Sequence, residues 1–202
     1  MLIFTNRKAE GTGSSASFGR AFGAGKSGLS FANATAKTGS KSGWTLKDLS
    51  PDADDAAIVA ALAKVFGSGR PVLLYLHGNN NTPETCFGRC ALLDKMYGVE
   101  VVGFSWPSEG YQSDGSELPD AKNEDPGDEA ELGKVKASNR SEGAIVKKAR
   151  RYRQAKNNAQ DSVDALARFL RLLSIARLQA NAQPYSLAVH SLGGHFLQYT
   201  LE

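Results

Sequence analysis

Cysteine and histidine are scarce in this chain, and long apolar runs are absent. The two cysteines, Cys86 and Cys90, lie four residues apart in a segment with helical patterning, which puts them on one helix face. A disulfide within one regular helix does not suit the geometry the bond needs. A metal would need further ligands, and no neighbouring cluster supplies them. The pair reads as buried free thiols in a reducing compartment. No apolar run approaches the roughly 20 residues of a membrane-spanning helix. The N-terminus places Arg7 and Lys8 after its short apolar stretch, the reverse of a secretory signal.

Charge of one sign is also lacking. A net charge of +3 over 202 residues is too small to mark a nucleic-acid or membrane surface. The acidic run at 109–131 and the basic run at 147–156 carry no interleaved aromatics of the kind a nucleic-acid platform needs, so both read as solvated surface. Gly23-Ala-Gly-Lys-Ser27 has Arg20 where a phosphate loop needs its first glycine, and no apolar strand precedes it. The expectation is one cytoplasmic domain over 1–202 with no cofactor, no metal, no nucleic-acid partner and no membrane span.

What is present is an alternation of strands and helices. Leu2-Ile-Phe-Thr5 reads as a short strand. Residues 8–45 shift to Gly, Ser, Ala and Thr, either a pair of irregular strands or a loosely ordered arm. Ser50 and Pro51 suit the cap and first position of a helix carrying Ile58, Val59, Leu62 and Phe66. Pro71–His77 is a nearly unbroken apolar run, as in a strand buried on both faces. Thr82-Pro83-Glu84 opens a second helix to Tyr97, and Val99–Ser105 is another strand. A polar insertion fills 109–143, a lid or a disordered segment. One long helix spans 144–177, Gln183–His190 forms the last strand, and a further helix begins at Leu192. This pattern implies an α/β fold, a mostly parallel sheet flanked by helices.

Two motifs carry chemistry. In Leu187-Ala-Val-His190-Ser191-Leu192-Gly193-Gly194 an apolar strand breaks at a serine and passes at once into a helix. That is the pattern of a nucleophile elbow, whose strained turn lifts the serine Oγ clear of the sheet. Small neighbours are needed there, a demand Gly193 meets and Val189 meets only in part. The helix N-terminus and the Leu192 amide would face a developing negative charge. The second motif, Leu76-His77-Gly78-Asn79-Asn80, ends the earlier buried strand. Gly78 permits close backbone approach, and the Asn79 amide is a candidate second oxyanion donor. His77 and His190 are assigned supporting roles, His77 by fixing its loop through hydrogen bonds. A serine that merely caps a helix and an Asn-rich turn are the plain alternatives.

With Phe4-Thr5-Asn6-Arg7, Phe104-Ser-Trp-Pro-Ser108, Tyr152 and Ala159–Ser162, these motifs resemble the α/β-hydrolase superfamily. Within it they are similar to a bacterial branch described as α/β hydrolases of unknown function. The resemblance covers most of the chain outside 8–45 and 109–143. It implies a serine hydrolase acting on a small-molecule ester or related acyl bond. Chain order in this superfamily runs serine, acid, histidine. Eleven residues follow Ser191, and His195, one turn along the same helix, is poorly placed as a base. The reading is therefore a truncated, partial hydrolase domain whose acid and histidine lie elsewhere. Its alternative is an inactive hydrolase-fold fragment or binding module, with an open sheet edge available for self-association.

Overall fold

The computed structural model describes residues 1–25, 27–37, 43–119 and 139–202, the last stretch with side chains from 147 onward. The strands are β1 (Leu2–Thr5), β2 (Arg7–Glu10), β3 (Ser17–Phe22), β4 (Ser30–Ala36), β5 (Trp44–Ser50), β6 (Val72–Leu76), β7 (Glu100–Ser105) and β8 (Tyr185–Val189). The helices are α1 (Asp55–Phe66), α2 (Pro83–Tyr97), α3 (Asn139–Asp161), α4 (Val163–Gln179) and α5 (Gly193–Leu201). Six strands form one sheet in the order β5-β4-β1-β7-β6-β8, and β2 pairs with β3 in a separate ribbon. The β1-β7, β7-β6 and β6-β8 pairings are parallel, whereas β4 pairs antiparallel with both β1 and β5. The chain is thus the expected α/β protein with a mostly parallel sheet.

The period-two alternation of strand side chains divides the core into two layers. Leu2, Phe4, Leu74, Leu76, Val102 and Phe104 pack against Ile58 and Leu62 of α1, Leu166, Phe169 and Leu173 of α4, and Phe196 of α5. Ile3, Tyr75 and Val101 face the other way, toward Cys86, Phe87 and Cys90 of α2 and Phe18 of β3. Each fully buried large side chain contributes roughly 1.5–3 kcal/mol. Gly103 lets α2 approach β7: a Cβ there would stand 2.7 Å from Cys90 Sγ. Both cysteines are free and buried.

Helix α2 begins where its caps predict. The Thr82 side chain accepts from Thr85 N–H, Pro83 occupies the first turn, and Gly98 closes the helix at φ +63°. Helix α1 does not start at Ser50 and Pro51. Those residues end β5 and enter a turn, and the cap is Asp54, which accepts from Ala57 N–H at 2.7 Å. Pairing of β5 with β4 extends the strand to Ser50 and overrides the local cap signal. The single long helix expected over 144–177 is two helices. They divide at Ser162, whose Oγ donates to Asn158 O (2.7 Å) and accepts from Asn6 Nδ2 (2.8 Å).

The glycine-rich 8–45 stretch holds β2, β3 and β4, the last of them part of the main sheet. Of the polar insertion, residues 120–138 lie outside those described. Its first part is anchored: Tyr111 is flanked by the Arg20 and Arg151 guanidiniums at 4.3 and 4.7 Å from its ring centroid. Strand β8 lies at the sheet edge, with Leu187 and Val189 exposed.

Candidate active site

Parallel strands present their C-terminal ends on one side, and here β6 and β8 bring their following loops together. The register pairs Leu76 with Val189, and His190 N–H donates to Leu76 O at 3.0 Å. The chain then turns at Ser191, which is exposed and has φ +52°. A side chain in this left-handed region is strained by roughly 1–2 kcal/mol, so the turn must be held by its surroundings. Gly193 N–H donates to His190 O (3.0 Å) and Gly194 N–H to Ser191 O (2.8 Å), closing the turn into α5.

Two glycines make this turn fit. A Cβ on Gly78 would stand 2.6 Å from His190 O and 2.8 Å from Ser191 Cβ. A Cβ on Gly193 would stand 2.7 Å from His77 O and 3.0 Å from Leu76 O. The two motifs, more than a hundred residues apart in sequence, therefore meet in backbone contact. In the 78–81 loop, Asn80 N–H is committed to Ser108 O (2.8 Å) and Asn81 N–H to Ser108 Oγ (3.0 Å). Asn80 also has φ +56°. Among the described residues the amides of Gly78, Asn79 and Leu192 donate to none.

His77 is fully buried and lies under this loop. Its Nε2 accepts from Trp106 N–H (3.1 Å), which places the imidazole proton on Nδ1, directed at Gly78 O (2.9 Å). The Trp106 indole N–H donates to His77 O at 3.0 Å, and the two rings stack at 5.5 Å with 3° between planes. Burial pushes the His77 pKa down to about 3, aided by the Arg7 charge and opposed by the Gly78 hydrogen bond. The ring is neutral, and both nitrogens are occupied. His190 is exposed beside the turn, and His195 lies on α5 with its ring 6.4 Å from that of Tyr199.

Beneath the loops lies a polar network that no sequence spacing reveals. Arg7 is wholly buried and forms a two-pronged ion pair with Glu109, Nη2 to Oε2 at 2.7 Å and Nη1 to Oε1 at 3.3 Å. The same guanidinium reaches Asn81 O (3.0 Å), Trp106 O and Gly19 O (3.2 Å). Asn158 of α3 donates to Pro107 O (2.9 Å) and Tyr111 O (3.1 Å). In the sequence Arg7 belongs only to the opening motif, because its partners come from separate segments.

Among the described residues no group of three or more His, Cys, Asp or Glu side chains gathers as metal ligands. No helix among them is long and apolar enough to cross a membrane.

A mostly parallel sheet flanked by helices, with a tight strand-to-helix turn at a serine, has the form of an α/β-hydrolase fold. Residues 51–202 match the family described as Alpha/beta hydrolase of unknown function (DUF900), and the chain belongs to that family. No curated protein and no solved structure matches it.

Proposed function

We propose that the chain carries the nucleophile and oxyanion hole of a serine hydrolase acting on an ester or related acyl bond of a small molecule. Ser191 Oγ attacks the carbonyl carbon, and the amides of Asn79 and Leu192 hold the resulting oxyanion. The alcohol then leaves with a proton, and water releases the acyl group. The observation that carries this reading is the positive φ of Ser191, exposed at the junction of β8 and α5. Strain of this kind at a functional serine is the signature of the elbow. The amides of Asn79 and Leu192, which make no hydrogen bond among the described residues, add support.

His77 is a supporting residue in this scheme and not the base. Proton transfer needs a free nitrogen that ionises near the working pH, and its ring offers neither. Gly78 and Gly193 supply close approach, and His190 flanks the turn. The acid and the base follow the serine in the chain order of this fold.

The committed state of His77 also favours a second reading, a catalytically inactive hydrolase fold that serves as a binding module. Labelling with a fluorophosphonate probe, comparing the wild type with Ser191→Ala, separates the two. Label that enters the wild type and is abolished by the substitution supports the hydrolase. Equal labelling, or none in a form that contains an intact acid and histidine, sinks it.

A further inference from the structure

The Arg7–Glu109 pair raises a physical question. Removing a guanidinium wholly from water is costly, and a buried ion pair is often replaceable by packed apolar side chains with no loss of stability. What such a pair does supply is fixed geometry: a planar fork holds its acceptors in definite directions, which neither an apolar side chain nor a lysine ammonium does.

Apart from Gly19 O on β3, the acceptors of Arg7 belong to segments that shape the candidate site. Asn81 O closes the 78–81 loop. Trp106 O lies on the residue whose backbone and indole N–H groups hold His77 at Nε2 and at its carbonyl. Glu109 ends the Ser108 segment, to which the Asn80 and Asn81 amides donate. Arg7 is itself pinned from behind: its N–H donates to Thr5 Oγ1 at 3.0 Å, and Thr5 Oγ1 donates to Ser105 O at the end of β7. Its Nε makes no hydrogen bond among the described residues. Among the described residues the Nη atoms alone carry the side chain's hydrogen bonds, and all but the one to Gly19 O go to the two loops.

We propose that Arg7, oriented by Glu109, is a positioning residue that sets the 78–81 loop against Ser191 and so directs the Asn79 amide at the oxyanion. This inference rests on the serine-hydrolase reading of the site. Arg7 touches no reacting atom. It acts through Asn81 and, by way of Trp106, through His77 and Gly78. Displacing the loop by a fraction of an ångström misdirects the donor while the two core layers stay packed.

The test uses Arg7→Lys, Arg7→Met and Glu109→Gln in the full chain, with far-UV circular dichroism and thermal melting to establish folding. Two measurements follow. The first is hydrogen exchange of the Asn80 and Asn81 amides and the Trp106 indole, with α2 and α4 amides as internal controls. The second is the second-order rate constant for fluorophosphonate labelling of Ser191. In folded Arg7→Lys, loop protection is expected to drop about tenfold while the helix controls hold. Labelling is expected to slow by about 10²-fold. Glu109→Gln, which keeps the guanidinium but loses its charged partner, is expected to show a smaller change in the same direction. Folded Arg7 variants with unchanged loop exchange overturn the clamp, and so does normal labelling despite lost protection. If Arg7→Met does not fold, Arg7→Lys and Glu109→Gln decide. A wild type that contains an intact acid and histidine and takes no label overturns the nucleophile reading and with it the catalytic purpose of the clamp. The exchange measurement tells that failure apart from failure of the clamp itself.

Discussion

Gly78 and Ser191 are in contact across neighbouring parallel strands, so closely that a β-carbon on the glycine would stand 2.8 Å from that of the serine. Atoms of this kind do not approach so near, so the turn and the loop are built as one unit. Whatever shifts one shifts the other.

Gly78→Ala tests this contact directly. The added methyl meets His190 O as well as Ser191, and neither belongs to a flexible side-chain end. Overpacking of this type costs about 1–3 kcal/mol. Urea unfolding should show that loss, and fluorophosphonate labelling of Ser191 should slow in parallel. Wild-type stability in the variant would refute the close packing.

The strain at Ser191 gives a prediction of opposite sign. Its φ of +52° suits glycine far better than an L-residue. Ser191→Gly should therefore be more stable than Ser191→Ala by about 1 kcal/mol, although both abolish labelling. Differential scanning calorimetry of the pair measures the difference. Equal melting temperatures would mean that the turn stores no strain.

His77 makes stability depend on pH. Its folded pKa is about 3 against an ordinary 6.5, so between these values the unfolded chain binds a proton that the folded chain refuses. The contribution is fully present above pH 6.5 and is lost as pH falls toward 3. Between the fully stabilised range above pH 6.5 and about pH 5 the loss is about 2 kcal/mol. In His77→Gln, denaturant unfolding should show a correspondingly shallower pH dependence than the wild type over that range. Parallel curves would rule out a buried neutral histidine.

Trp106→Phe removes the indole N–H that donates to His77 O. A buried carbonyl left without its donor costs about 1–3 kcal/mol, and the smaller ring also loosens the stack with His77 and the contact with Phe196 at 5.1 Å. Chemical denaturation should register the loss. A variant within experimental error of wild type would show that water replaces the indole without cost.

The parts of this fold that are legible in the sequence are those whose signal is local. β6 is a continuous apolar run, β7 carries Val101, Val102 and Phe104 within a short strand, and α2 is bracketed by Thr82-Pro83 and Gly98. β4 is far harder to see, because its buried positions Ala32 and Ala34 are small and it pairs with β1 across a long stretch of chain. The division of the long helix at Ser162 depends on Asn6, 156 residues away. The same holds at the site. Ser191 and Gly193 form one short motif, and Gly78 ends an obvious strand, so both motifs stand out. Their contact with each other, and the Arg7 fork that joins 19, 81, 106 and 109, exist only in three dimensions.

Gly103 has a use beyond packing. Because it lets α2 lie so close to β7, the thiols of Cys86 and Cys90 are shut away against the strand. A thiol reagent can reach them only when that helix lifts from the sheet. The pair is a built-in chemical clock: its rate of modification under native conditions times the opening of the layer that carries the 78–81 loop, with no label attached to the site itself.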